Sequence, residues 1–143
     1  MPTPVVASTV EERQLLHTQR SFLTVRELAN RATATFVGLS HVGWKAPIHR
    51  DGMVEDAEIR TLIDAGAVGE IAGWTFDAAG VPLKGGVNDR VAGIPLDDLR
   101  RPNTIAVAGG QEKVSAILAA LRGRLITGII TDETTAQALL KLA

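Results

Sequence analysis

The sequence predicts an α/β fold with parallel strands, and three features of residues 104–143 predict it. Thr104-Ile105-Ala106-Val107-Ala108 is a short apolar run of the kind that is buried on both faces, as a parallel strand requires. Gly109-Gly110 breaks it, and Gln111 to Gly123 follows as a helix with Val114, Ile117, Leu118 and Leu121 in one stripe. Leu125 to Ile130 is the next apolar run, after which Thr131-Asp132 caps a last helix whose stripe is Ala136, Leu139, Leu140 and Ala143. Strand, glycine turn, helix, strand, helix is a βαβα unit.

The earlier elements follow in order. Thr9-Val10-Glu11-Glu12 and Thr24-Val25-Arg26-Glu27 both fit the capping box, so each predicts a helix start. Val25, Leu28, Ala29 and Ala32 then form the second helix's apolar stripe. Thr35 to Leu39 is a β-rich run, and Ser40 to Gly52, with His41 and His49, is irregular. A third helix is expected from about Val54 to Ala65, with Ile59, Leu62 and Ile63 on one face and Gly66 just past its end. Gly69 to Phe76 reads as a strand and Asp77-Ala78-Ala79-Gly80 as a turn. Val81 to Asp89 reads as a loop or the far arm of a hairpin, Val91 to Leu96 as another strand, and Asp97 to Arg100 as a helical turn.

Composition excludes several function classes. The chain has 143 residues, 45% hydrophobic and 22% charged, the balance of a globular domain. With no Cys, it has no disulfide framework, thiolate zinc site or cysteine nucleophile. No apolar run reaches the roughly 18 residues of a membrane span and no signal peptide opens the chain, so a cytoplasmic location is expected. Residues 1–60 carry 7 basic and 7 acidic side chains, and residues 61–143 carry 8 and 9. Neither half is a basic DNA-binding module, and the five aromatics, 2 Trp and 3 Phe, do not make a base-stacking platform. His17, His41 and His49 share no metal-ligand spacing, so no metal is expected.

Three places carry candidate chemistry. Gly109-Gly110-Gln111-Glu112-Lys113 lies where a strand hands over to a helix, the end of an α/β sheet at which ligands bind. Helix amides and Lys113 there suit an anion. It is neither a Walker loop nor a dinucleotide fingerprint, so no nucleotide cofactor is indicated, and from spacing alone a tight turn with a solvated lysine is the simpler reading. Asp132 stands at the equivalent junction one unit later, where a plain N-cap is the simpler reading. Glu70 lies within an apolar strand, where a carboxylate must face water or meet a partner, and Asp77 follows as a turn former. From the residues alone, this is a site for an anion of sugar-phosphate size.

Four motifs carry a resemblance. Gly69-Glu70-Ile71-Ala72-Gly73-Trp74-Thr75-Phe76-Asp77-Ala78-Ala79-Gly80 is the first, and Arg90-Val91-Ala92-Gly93-Ile94-Pro95-Leu96-Asp97-Asp98-Leu99 the second. Ile105-Ala106-Val107-Ala108-Gly109-Gly110-Gln111-Glu112-Lys113 and Ile130-Thr131-Asp132-Glu133-Thr134-Thr135-Ala136 complete the set. In order and spacing they resemble the effector domain of SorC-type bacterial transcriptional regulators. The match is closest over residues 66–142; residues 1–65 match more loosely, with Met1-Pro2-Thr3-Pro4 resembling a segment from the middle of that domain.

The resemblance implies an incomplete three-layer Rossmann-like sheet of the ribose-5-phosphate isomerase and CoA transferase type. It also implies a homo-oligomeric regulator whose grip on operator DNA is switched by a phosphorylated sugar or polyol. Carried over by position, Glu70 and Asp77 look like the pair beside the effector's hydroxyls, with Arg90 a further effector-site position; Lys113, after Gly109 and Gly110, looks like a phosphate or hydroxyl contact, and Asp132 lies at the next strand end. The family's helix-turn-helix and its glycine- and threonine-rich phosphate loop have no counterpart in this sequence. It therefore reads as the carboxyl-terminal part of an effector domain, with an exposed sheet edge that invites self-association. A sugar-phosphate isomerase of the same fold, with Glu70 or Asp77 as base, is the enzymatic alternative; an oligomerisation piece is the third.

Overall fold

A computed structural model describes residues 4–142; Met1, Pro2 and Thr3 of the opening segment and Ala143 of the last stripe lie outside the described residues. Five strands form one open mixed sheet: β1 (Thr35–His41), β2 (Ala67–Ile71), β3 (Trp74–Asp77), β4 (Thr104–Val107) and β5 (Gly128–Ile130). Their spatial order is β3-β2-β1-β4-β5. The predicted parallel unit is present: β1, β4 and β5 run together, with Gly38 opposite Val107 and Val107 opposite Ile130. β2 is antiparallel to both of its neighbours.

Seven helices appear among the described residues: α1 (Val10–Thr18), α2 (Arg20–Asn30), α3 (Pro47–Arg50), α4 (Asp56–Asp64), α5 (Leu96–Leu99), α6 (Val114–Arg122) and α7 (Glu133–Leu140). Val114 and Ile117 of the stripe read from the sequence are buried against Leu39, Ile71, Phe76 and Ala106, together with Ala116, Ala119 and Ala120, while Leu118 and Leu121 are only half-buried at its margin. Full burial of one such side chain as Ile117 is worth about 1.5–3 kcal/mol. A smaller cluster joins Ile48, Val54, Ile59 and Leu62 to Ala67 and Val87. Side chains alternate across strands, so the opposite face carries Phe36, Val107 and Ile130, which are 62%, 51% and 53% exposed. Among the described residues, no helix is long and apolar enough to cross a membrane, and no group of three His, Asp or Glu could hold a metal ion.

Several local expectations are corrected. Gly69 to Phe76 is not one strand but a hairpin, β2 and β3, joined by Ala72-Gly73. Both turn residues have positive φ (51° and 91°), the conformation a two-residue hairpin loop demands; Ala72 hides the signal that Gly73 carries. The second helix starts at Arg20, with Thr24 in its interior, because Phe22 (2% exposed) anchors its first turn, stacked 4.1 Å from His17. Its expected stripe is not a core face, since Leu28 is 62% exposed, and Leu140 of the last stripe is exposed as well. Val91 to Leu96 forms no sheet strand; Val91 bridges only to Val6 before Gly93 and Pro95 turn the chain into α5. Within the irregular stretch, β1 continues to His41 and Pro47 opens α3.

Other expectations stand. Thr9 caps α1, accepting from the Glu12 N–H at 3.1 Å, while the Glu12 carboxylate accepts from Ser8 N–H at 2.7 Å. The third helix is shorter than expected but keeps Ile59 and Leu62 inside, behind a capping box between Glu55 and Glu58.

Candidate functional site

The open face of the sheet carries a crevice at the carboxyl ends of β1 and β4, the place where α/β sheets bind ligands. It encloses about 530 Å³ and is lined by Val5, Phe36, Gly38, Ser40, Met53, Glu70, Val107 and Lys113, among others. Two of the residues singled out in the sequence, Glu70 and Lys113, therefore share one cavity although 43 positions separate them. A second groove of about 490 Å³ lies between α4 and residues 83–87; it is mainly apolar, with Glu58, Thr61 and Lys84 on its wall.

Glu70 enters the crevice from β2, directly opposite Ser40 of β1 in the antiparallel register. One carboxyl oxygen accepts the Gly73 N–H from the hairpin turn. A side chain on Gly73 would run into Val5 on the crevice wall, so the tight turn and the wall fit only with glycine there. Burial pushes the Glu70 carboxyl above the ordinary carboxylate range, and the Gly73 N–H offsets part of that rise. The folded state then binds this proton more tightly than the unfolded chain. Stability from this group is greatest at low pH and falls as pH rises from the ordinary glutamate value through the raised one.

Lys113 ends a 3₁₀ turn, Gln111–Lys113, and stands at the cap position of α6. Its own N–H donates to Gly110 O at 3.0 Å. The Gly109-Gly110 turn beside it is held from the next junction. Gly110 N–H donates to Thr135 Oγ1 at 2.9 Å, and that hydroxyl donates to Asp132 Oδ2 at 2.7 Å. Asp132 Oδ1 also accepts Thr135 N–H at 2.8 Å, so Asp132 caps α7 while bracing the turn before α6. The Thr135 hydroxyl and then its N–H hold the Asp132 carboxyl below the ordinary range. Gly109 packs so closely on this carboxylate that a Cβ would collide with it.

Asp77 and Arg90, like Gly109, Gly110 and Asp132, are not among the residues that line the crevice. Asp77 closes the turn after β3, its Oδ1 accepting Ala79 and Val81 N–H at 2.9 Å each. Arg90 pairs with Glu58 and donates to Ala7 O at 2.8 Å, in a separate polar pocket shared with Val6, Ser8 and Glu55. The sequence reading missed Ser40, although extending the β-rich run by one residue would have put it on the same face as Phe36 and Gly38.

An open mixed α/β sheet with a crevice at its strand ends has the architecture in which such sheets bind ligands. The chain belongs to the sugar-binding domain family found in transcriptional regulators: residues 1–141 match the family described as "Putative sugar-binding domain". It is 39% identical over 147 residues to the transcriptional regulator LsrR of Enterobacter sp. (strain 638), covering 100% of this chain and 46% of that one. To the erythritol catabolism regulatory protein EryD of Brucella abortus (strain 2308) it is 36% identical over 140 residues, 98% of this chain and 44% of that one. It superposes on the full-length sorbitol operon regulator SorC from Klebsiella pneumoniae with a TM-score of 0.83 at 25% identity, over 98% of this chain and 46% of that chain. The SorC-type resemblance and the α/β fold class both stand. The chain spans about half the length of the curated relatives it matches.

Proposed function

We propose that the chain is the carboxyl-terminal, effector-binding part of a sugar- or polyol-responsive transcriptional regulator, and that it binds a phosphorylated sugar or polyol without turning it over. The observation that carries this reading is the meeting of Glu70 and Lys113 in one crevice. A carboxyl group exchanges hydrogen bonds with sugar hydroxyls, and an ammonium holds an anion, so the pair suits a molecule with hydroxyls at one end and phosphate at the other. Gly109 and Gly110 shape the turn that presents Lys113, and Asp132 holds that turn in place. Operator binding would belong to a helix-turn-helix outside this sequence, coupled to this domain through a homo-oligomer.

Titration calorimetry of this chain with sugar and polyol phosphates, their unphosphorylated counterparts and inorganic phosphate tests the reading. Phosphorylated polyols should bind most tightly, and Lys113→Ala should weaken them by roughly tenfold or more, the scale of a lost charge-assisted contact. Equal affinity for phosphorylated and unphosphorylated compounds would remove the phosphate from the proposal. Turnover of any compound would replace the sensor with the isomerase.

A further inference from the structure

We infer that Ser40 is a specificity-determining residue of the crevice and that, with Glu70, it selects ligands carrying two hydroxyls on adjacent carbons. The inference rests on the effector-binding reading above. Ser40 is only 7% exposed, and its Oγ is completely buried without a hydrogen-bond partner. A native fold rarely leaves a buried hydroxyl unpaired, because its desolvation is then uncompensated.

Position gives the hydroxyl a use. Ser40 and Glu70 are directly paired across β1 and β2, so their side chains stand side by side on the crevice face. Both line the crevice, with Lys113 also on its wall. Glu70 has one oxygen taken by Gly73 N–H, and among the described residues the other has no hydrogen-bond partner. A serine hydroxyl both donates and accepts, whereas a carboxylate only accepts. Two such groups on neighbouring strands can each engage one hydroxyl of an adjacent pair, while a lone hydroxyl leaves one of the two unpaired. A site built to hydrogen-bond a hydroxyl discriminates strongly against an analogue lacking it, because its own polar group stays buried and unmatched.

Three probes separate the possibilities by calorimetry: D-erythritol 4-phosphate and glycerol 3-phosphate, which carry adjacent hydroxyls, and 3-hydroxypropyl phosphate, which lacks the middle one. The unsubstituted chain should bind the first two about tenfold more tightly than the third, the scale of one lost hydrogen-bonding match. Ser40→Ala should erase most of that preference, weakening the first two probes more than 3-hydroxypropyl phosphate. Its melting midpoint without ligand should be equal or higher, since the unpaired hydroxyl is gone. A Ser40→Ala variant that keeps the preference, that loses affinity equally for all three probes, or that melts lower would overturn the role of Ser40 while leaving the crevice intact. If none of the three binds the unsubstituted chain, the effector reading of the crevice fails and the inference falls with it.

Discussion

Two junctions of the same topology, β4 into α6 and β5 into α7, have opposite chemistry. At the second, the exposed Asp132 caps the first turn of α7 by accepting the Thr135 N–H. At the first, no side chain caps α6, and Lys113 lines the crevice instead. The two are coupled, because Thr135 holds Gly110 and Gly109 lies against Asp132. A strand end in an open α/β sheet can be completed by its own cap or left to meet a ligand. Here the self-satisfied junction props up the open one.

Substitution at Gly109 should have the largest effect on that coupling. Gly109→Ala places a methyl against a carboxylate fixed by two hydrogen bonds, so either the turn or the cap must give way. A loss of about 1–3 kcal/mol is expected, the usual cost of overpacking, measured from the urea midpoint. If the two junctions are coupled, the Gly109→Ala/Asp132→Ala double variant should lose less than the sum of the singles; strict additivity would break the comparison.

Asp132→Ala alone should lower the melting midpoint by a few degrees, through the lost cap. Because the Asp132 carboxyl is held below its ordinary range, its contribution is fully present above the ordinary aspartate value and fades as pH falls through the depressed one. The difference in midpoint between the parent chain and Asp132→Ala should therefore shrink on acidification; a difference that grew would contradict the charged cap.

The smallest effect on stability belongs to Lys113→Ala, within about 0.5 kcal/mol, as for a surface side chain without a packing role. A large loss would mean that the first junction also depends on its side chain for structure, and the contrast between the two would disappear.

Much of this contrast was legible in the sequence. The glycine pair after an apolar run, the Thr-Asp cap one unit later and the α6 stripe are local signals, set by φ/ψ preference, hydrogen-bonding side chains and helical period. The parallel β4–α6–β5 unit, the Asp77 turn and the Thr9 cap followed from them. Ala72 in a hairpin turn was not legible, because alanine is seldom forced to positive φ and only β2–β3 pairing forces it here. Nor was the start of α2, which depends on Phe22 finding His17 and the core rather than on a cap.

The sequence by itself determined the fold class, the kinds of chemical group available and the two junctions that hold Lys113 and Asp132. Only the tertiary structure decided which groups meet. Strand pairing put Ser40 beside Glu70, and the open sheet face brought Lys113 to them, while the β3 turn and the Glu58 pair drew Asp77 and Arg90 elsewhere. The physical reason is range. Caps, turns and stripes act within a few residues and leave their mark in the local pattern. A crevice is assembled from residues tens of positions apart, whose convergence depends on the register and order of the whole sheet.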